Sequence, residues 1–131
     1  MTKIFTIILF IMGLIILMLP LKALGQDFIT DDDFSLKTKK GIAVIEFWAE
    51  WNSNNQVNFL PNLSDCNPYR VCIVKNSMLK SKYNIISIPT VVVLNNGVEE
   101  KRFLPNIMFQ LDASKKKVQG VIDEIILERF Q

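Results

Sequence analysis

From Ile4 to Leu21 the chain is an almost unbroken apolar run, interrupted only by Thr6, Gly13 and Pro20 and preceded by the single charge of Lys3. A short positive start followed by such a run predicts a secretory leader. Pro20 breaks the helix shortly before Ala23-Leu24-Gly25, which puts small residues where a signal peptidase needs them for a cut before Gln26. Residues 1–25 are therefore read as a leader and 26–131 as the mature domain. If the leader is not cleaved, eighteen residues at about 1.5 Å each approach the roughly 30 Å of a bilayer core, and residues 4–21 become an anchor. Either way the domain is expected outside the cytoplasm, periplasmic or secreted. No cysteine lies near the junction to accept a lipid.

Beyond Gln26 the apolar pattern shortens and alternates with polar segments. Phe28-Ile29-Thr30 reads as an edge strand running into a helical turn capped within Asp31-Asp32-Asp33, with Lys37 to Gly41 as the exit loop. Ile42 to Trp48 is apolar except for Glu46, the pattern of a strand buried on both faces. Asn52 to Asn55 is polar and suits a helix start, and Gln56 to Leu63 predicts a short helix disturbed by Pro61. Val71 to Val74 predicts a strand, Ser77 to Tyr83 a short helix and Thr90 to Leu94 another buried strand. Asn95-Asn96-Gly97 predicts a hairpin turn into Val98 to Phe103. Val118, Val121, Ile122, Ile125, Ile126 and Phe130 recur at helical steps, with Ser114 or Asp112 available as N-cap and lysines 115–117 facing solvent.

The full chain has 131 residues, so the mature part is a common size for one domain and too short for two. Removing Lys3 and Lys22 with the leader leaves 13 basic against 13 acidic residues, a balance that gives no reason to expect a nucleic-acid partner. Histidine is absent, which removes the commonest metal ligand and general base, so neither a metal nor a cofactor is expected. The element order predicts an α/β three-layer sandwich, a central mixed sheet flanked by helices.

Particular residues narrow that class. Phe47-Trp48-Ala49-Glu50-Trp51 at the end of a buried strand, Ile88-Pro89-Thr90 before another, Asn96-Gly97 in the next turn and Thr30 to Phe34 at the first helix resemble the thioredoxin family in order and spacing. The resemblance covers about residues 27–103 and the final helix. It implies a thioredoxin-like fold, a cis bond before Pro89, and a Trp-Cys-x-x-Cys site at Trp51. Here the chain departs from the pattern, because Asn52 and Asn55 stand where the family has cysteine. An amide can neither attack a disulfide nor resolve one, so no catalytic residue is assigned at this site. Asn52 or Ser53 is left the role of capping the following helix.

The resemblance also implies that Glu46 occupies the place of the family's buried acid and Arg70 that of a nearby basic residue, which makes them a candidate buried ion pair. What the site keeps is a possible peptide-binding groove formed by Trp51, Ser53, Asn54, Ile88, Pro89 and Thr90, suited to a protein or an extended peptide segment. The stretch from Trp51 to Val71 is about two helical turns shorter than the family's, and residues 104–113 look inserted. Ile107, Met108, Phe109 and Leu111 are too apolar for a free loop. Burial of Phe109 and Leu111 in the gap left by the shortened helix is the expectation, with a partner patch as the alternative.

Two cysteines, Cys66 and Cys72, remain. An oxidising compartment permits a disulfide between them; two unreactive thiols and a relocated redox pair are the other readings. The resulting expectation is an exported thioredoxin-like protein without thiol chemistry that binds or assembles other proteins. The alternative is a thiol-disulfide oxidoreductase using Cys66 and Cys72.

Overall fold

The computed structural model describes residues 2–4, 6–8 and 27–131. The expected leader and its cut before Gln26 fall largely outside these residues, and among the described residues no helix is long and apolar enough to cross a membrane.

Ile42–Trp48 forms the central strand β2, because its alternate side chains are apolar on both sides. Ala43, Ile45 and Phe47 face one layer and Ile42 and Val44 the other. β2 pairs in parallel with β3 (Asn67–Cys72) and antiparallel with β4 (Thr90–Asn95). The short β1 (Asp27–Phe28) lies outside β3, and β5 (Val98–Phe103) outside β4, giving the order β1-β3-β2-β4-β5. β4 divides its side chains as β2 does, with Val92 and Leu94 on one face and Val91 and Val93 on the other. The first face is covered by α1 (Phe34–Thr38) and α2 (Ser77–Lys82), through Phe34, Leu79 and Tyr83. The second is covered by α3 (Lys115–Glu128), through Val118, Ile122 and Ile125, together with Val57, Leu60 and Leu63. This is an α/β three-layer sandwich around a mixed sheet.

The β4–β5 turn uses Asn96 at φ 51° and Gly97 at φ 82°, the paired positive values a tight twisted hairpin requires. Ser114 caps α3, its Oγ accepting from the Lys117 N–H at 3.2 Å.

Several local expectations are corrected. The helix expected at Gln56–Leu63 does not form. The Val57 N–H donates to the Glu46 carboxylate instead of to a helical carbonyl, and only a 3₁₀ turn at Leu60–Asn62 remains, with Pro61 in its first positions. β3 runs from Asn67 to Cys72 rather than from Val71 to Val74, since pairing with β2 draws in the polar residues at its start and Val74 turns out to solvent. The aspartates do not cap α1. Asp33 Oδ1 accepts from the Thr30 N–H at 2.7 Å, while Asp31 Oδ1 caps α2 from a distance, accepting from the Leu79 N–H at 3.0 Å. Asn76 answers it by accepting from the Asp31 N–H at 3.0 Å, so the ends of α1 and α2 are fastened together.

Candidate functional site

β2 runs out at Trp48, and buried Ala49 carries the chain, still extended, into a 3₁₀ turn at Glu50–Asn55. Turns of this kind leave their first N–H groups in need of acceptors. The Ala49 carbonyl takes one, from Asn52 N at 3.0 Å. The expectation that Asn52 or Ser53 caps a following helix is corrected, because both lie within this turn and no helix forms at Gln56–Leu63. Asn52 instead departs from helical geometry (φ −108°, ψ 23°) and turns its carboxamide inward, leaving the residue only 8% exposed. Its Oδ1 accepts from Asn55 Nδ2 at 2.8 Å, and its Nδ2 donates to the Phe109 carbonyl at 3.0 Å.

That last bond brings the 104–113 segment to the site. An antiparallel bridge between Pro105 and Leu111 closes a loop, and Leu111 and Ala113 pack against the core on the α3 side. Leu111 is half-buried. The expected burial of Phe109 is not found, since this residue is 46% exposed. Its ring stands edge-on to Trp51, with centroids 5.5 Å apart and an interplanar angle of 88°. Trp51, Met108 and Ile107 are exposed beside or near it in the chain. The apolar character of this stretch was visible in the sequence, but its long-range contact with position 52 carried no local signal.

The Ile88–Pro89 bond is cis. Thr90 Oγ1 donates to the Ser87 carbonyl at 2.7 Å. Ile88, Pro89 and Thr90 are all buried, and Ile88 belongs to the core on the α1–α2 face. Their side chains are therefore packed into the fold rather than open to solvent. Among the residues assigned to the expected groove, Trp51, Ser53 and Asn54 reach the surface.

Beneath the turn, Glu46 is wholly buried and Arg70 pairs with it, through Nη2 at 3.0 Å and Nε at 3.1 Å from Oε1. Burial raises the Glu46 carboxyl above its ordinary range, outweighing the opposing pull of Arg70 and of the Val57 N–H. The guanidinium also lies over the Trp48 and Phe28 rings, 5.5 and 6.0 Å from their centroids. Trp48 Nε1 is buried without a hydrogen-bond partner among the described residues. It stands beside a cleft of about 600 Å³ that Phe28, Cys72 and Met78 also line.

The disulfide considered between Cys66 and Cys72 does not form, and both thiols are free. Cys66 precedes β3 and Cys72 ends it. A strand rises about 3.3 Å per residue, so their α-carbons stand on the order of 16–20 Å apart, against the roughly 7 Å a disulfide allows. Burial, and then the negative charge of Asp65, push the Cys66 thiol up to about 11. Such a thiol stays protonated near neutrality and is a poor nucleophile. Among the described residues no cluster of three or more Cys, Asp or Glu is placed to hold a metal ion.

The chain is 34% identical over 76 residues to a thioredoxin of Mycoplasma genitalium, a match spanning 51% of this chain and 74% of that one. It is 29% identical over 76 residues to a thioredoxin of Bacillus subtilis, spanning 52% and 72%. A solved thioredoxin mutant from Halobacterium salinarum superposes with a TM-score of 0.60 at 15% identity, over 76% of this chain and 88% of that one. A designed protein superposes at 0.61 with 23% identity, over 77% and 97%. No family model matches the chain.

Proposed function

The chain belongs to the thioredoxin family, and from that membership we propose that it is an exported member without dithiol chemistry, acting as a protein-binding or assembly component. The observation that carries this reading is the pair of carboxamides, Asn52 and Asn55, in the turn that ends the buried strand. Exchange requires one sulfur to attack and a second to resolve the mixed disulfide, and neither is supplied at these positions. The rival reading, exchange through Cys66 and Cys72, is opposed by their separation along β3 and by the protonated state of Cys66. Export rests on the apolar run from Ile4 to Leu21 and the small residues before Gln26.

The surface left for binding is the turn that carries Trp51, Ser53 and Asn54, all of which reach solvent. A rigid aromatic beside short polar side chains is a composition suited to an unfolded or extended polypeptide, offering apolar area at low conformational cost. Binding of carboxymethylated insulin B chain, an extended polypeptide without free thiols, tests it. Saturable binding lost in Trp51→Ala is the expected result. Equal binding by the folded variant and the wild type removes Trp51 from the site.

A further inference from the structure

The Asn106–Gln110 loop carries more internal order than an exposed apolar loop needs. Asn106 Oδ1 accepts from the N–H groups of Met108 at 2.9 Å and Gln110 at 3.1 Å. The Asn106 N–H donates to the Gln110 carbonyl at 2.7 Å, and the Phe109 N–H to the Asn106 carbonyl at 3.1 Å. Phe109 is thereby held at φ 57°, a region a bulky residue enters only when its surroundings enforce it. Held in this way, one residue makes two contacts with the turn. Its carbonyl receives Asn52 Nδ2, and its ring stands on Trp51.

On the other side of that contact, Asn52 uses both ends of its carboxamide, accepting from Asn55 and donating to Phe109. A carboxamide carries a strong acceptor and a strong donor on one planar frame and makes both bonds, whereas a carboxylate has no donor and a thiol only a weak donor and a weak acceptor on a single sulfur. Asn52 and Asn55 are thus more than blanks left by missing sulfur.

We propose that residues 105–111 are a strap that occupies this chain's own binding surface as an internal ligand, fastened by the relay from Asn55 through Asn52 to the Phe109 carbonyl. The partner that displaces it is an extended polypeptide presenting a large apolar residue. That residue's carbonyl takes the Asn52 amide and its side chain takes the face of Trp51. Release breaks one neutral hydrogen bond and one ring contact, while Leu111 keeps the base of the loop packed on the core. Opening therefore does not require unfolding. This inference rests on the reading of the Trp51 turn as a binding surface and names both its ligand class and its regulation.

The test uses the purified protein and a blocked synthetic heptapeptide with the sequence of residues 105–111. Binding is followed by the Trp51 indole resonance. Phe109→Ala, which empties the place of the ring, is expected to bind the peptide at least tenfold more tightly than the wild type. The same peptide with alanine for its phenylalanine is expected to lose that gain. Asn52→Asp, which retains the acceptor and loses the donor, is expected to shift the unliganded Trp51 resonance toward its position in Phe109→Ala and to speed amide exchange at Phe109 and Gln110. Equal affinity of wild type and Phe109→Ala, absence of peptide binding by either, or an unmoved Trp51 resonance in folded Asn52→Asp overturns the inference. None of these results decides insulin B chain binding or thiol activity, on which the proposed function stands or falls separately.

Discussion

Asn52 Nδ2 reaches the Phe109 carbonyl at 3.0 Å, joining residues 57 positions apart in the chain. This bond fastens the inserted segment after β5 to the turn after β2. Its energetic share is small, because Phe109 is nearly half exposed, and the anchoring of the segment falls to Leu111. Leu111→Ala is therefore expected to destabilise the domain by about 1–2 kcal/mol, less than a full core truncation, lowering Tm by roughly 5–10 °C. Phe109→Ala is expected to cost under about 1 kcal/mol. Thermal unfolding of the two variants checks the order; a larger loss for Phe109→Ala contradicts it.

The side chains at 52 and 55 meet tip to tip at 2.8 Å across one 3₁₀ turn, which places the two positions side by side. Asn52→Cys with Asn55→Cys is expected to form a disulfide under mild oxidant, detected as the loss of two titratable thiols. A double variant that stays fully reduced shows that the 3₁₀ turn holds these positions too far apart.

Arg70 is the only cation the described structure places within ion-pair distance of the buried Glu46 carboxylate. Arg70→Ala is expected to destabilise the domain by about 3–5 kcal/mol at neutral pH, because it leaves a buried acid uncompensated and removes the cation from the Trp48 and Phe28 rings. Urea titration checks it. A loss under about 1 kcal/mol would mean that the acid is neutral in the wild type as well.

The raised carboxyl of Glu46 gives stability a pH dependence of definite sign. The folded state binds this proton more tightly than the unfolded chain, whose glutamates titrate near 4.5. Stability is then fullest below that value and falls as pH rises through the higher folded value. Relative to Glu46→Gln, the wild type is expected to lose stability between pH 4.5 and neutrality. The lowered Asp33 carboxyl acts in the opposite sense, but it is common to both proteins and cancels. A relative gain by the wild type over this range indicates that Arg70 outweighs burial.

Much of this architecture was legible because the core strands declare themselves. Ile42–Trp48 and Thr90–Leu94 are apolar on both faces, Asn96-Gly97 dictates its turn, and the spacing from Val118 to Ile125 admits only a helix. The errors arose where a long-range partner overrode a local preference. Glu46 takes the Val57 N–H and so prevents the helix that Gln56–Leu63 suggests. β2 recruits Asn67 and Pro68 into a strand that their own propensities do not announce. At the site, the Trp51 turn and Pro89 were readable from their motifs. The burial of Ile88, Pro89 and Thr90 and the reach of Phe109 to Asn52 depend on packing between segments far apart in sequence, and a non-glycine residue at positive φ gives no compositional warning.

Insulin reduction measures the absence of dithiol exchange most directly. With dithiothreitol as electron source, the purified protein is expected to precipitate insulin B chain no faster than the reductant alone, and Cys66→Ser with Cys72→Ser is expected to leave the rate unchanged. Turnover comparable to that of a dithiol thioredoxin, lost in the cysteine variant, would contradict the account.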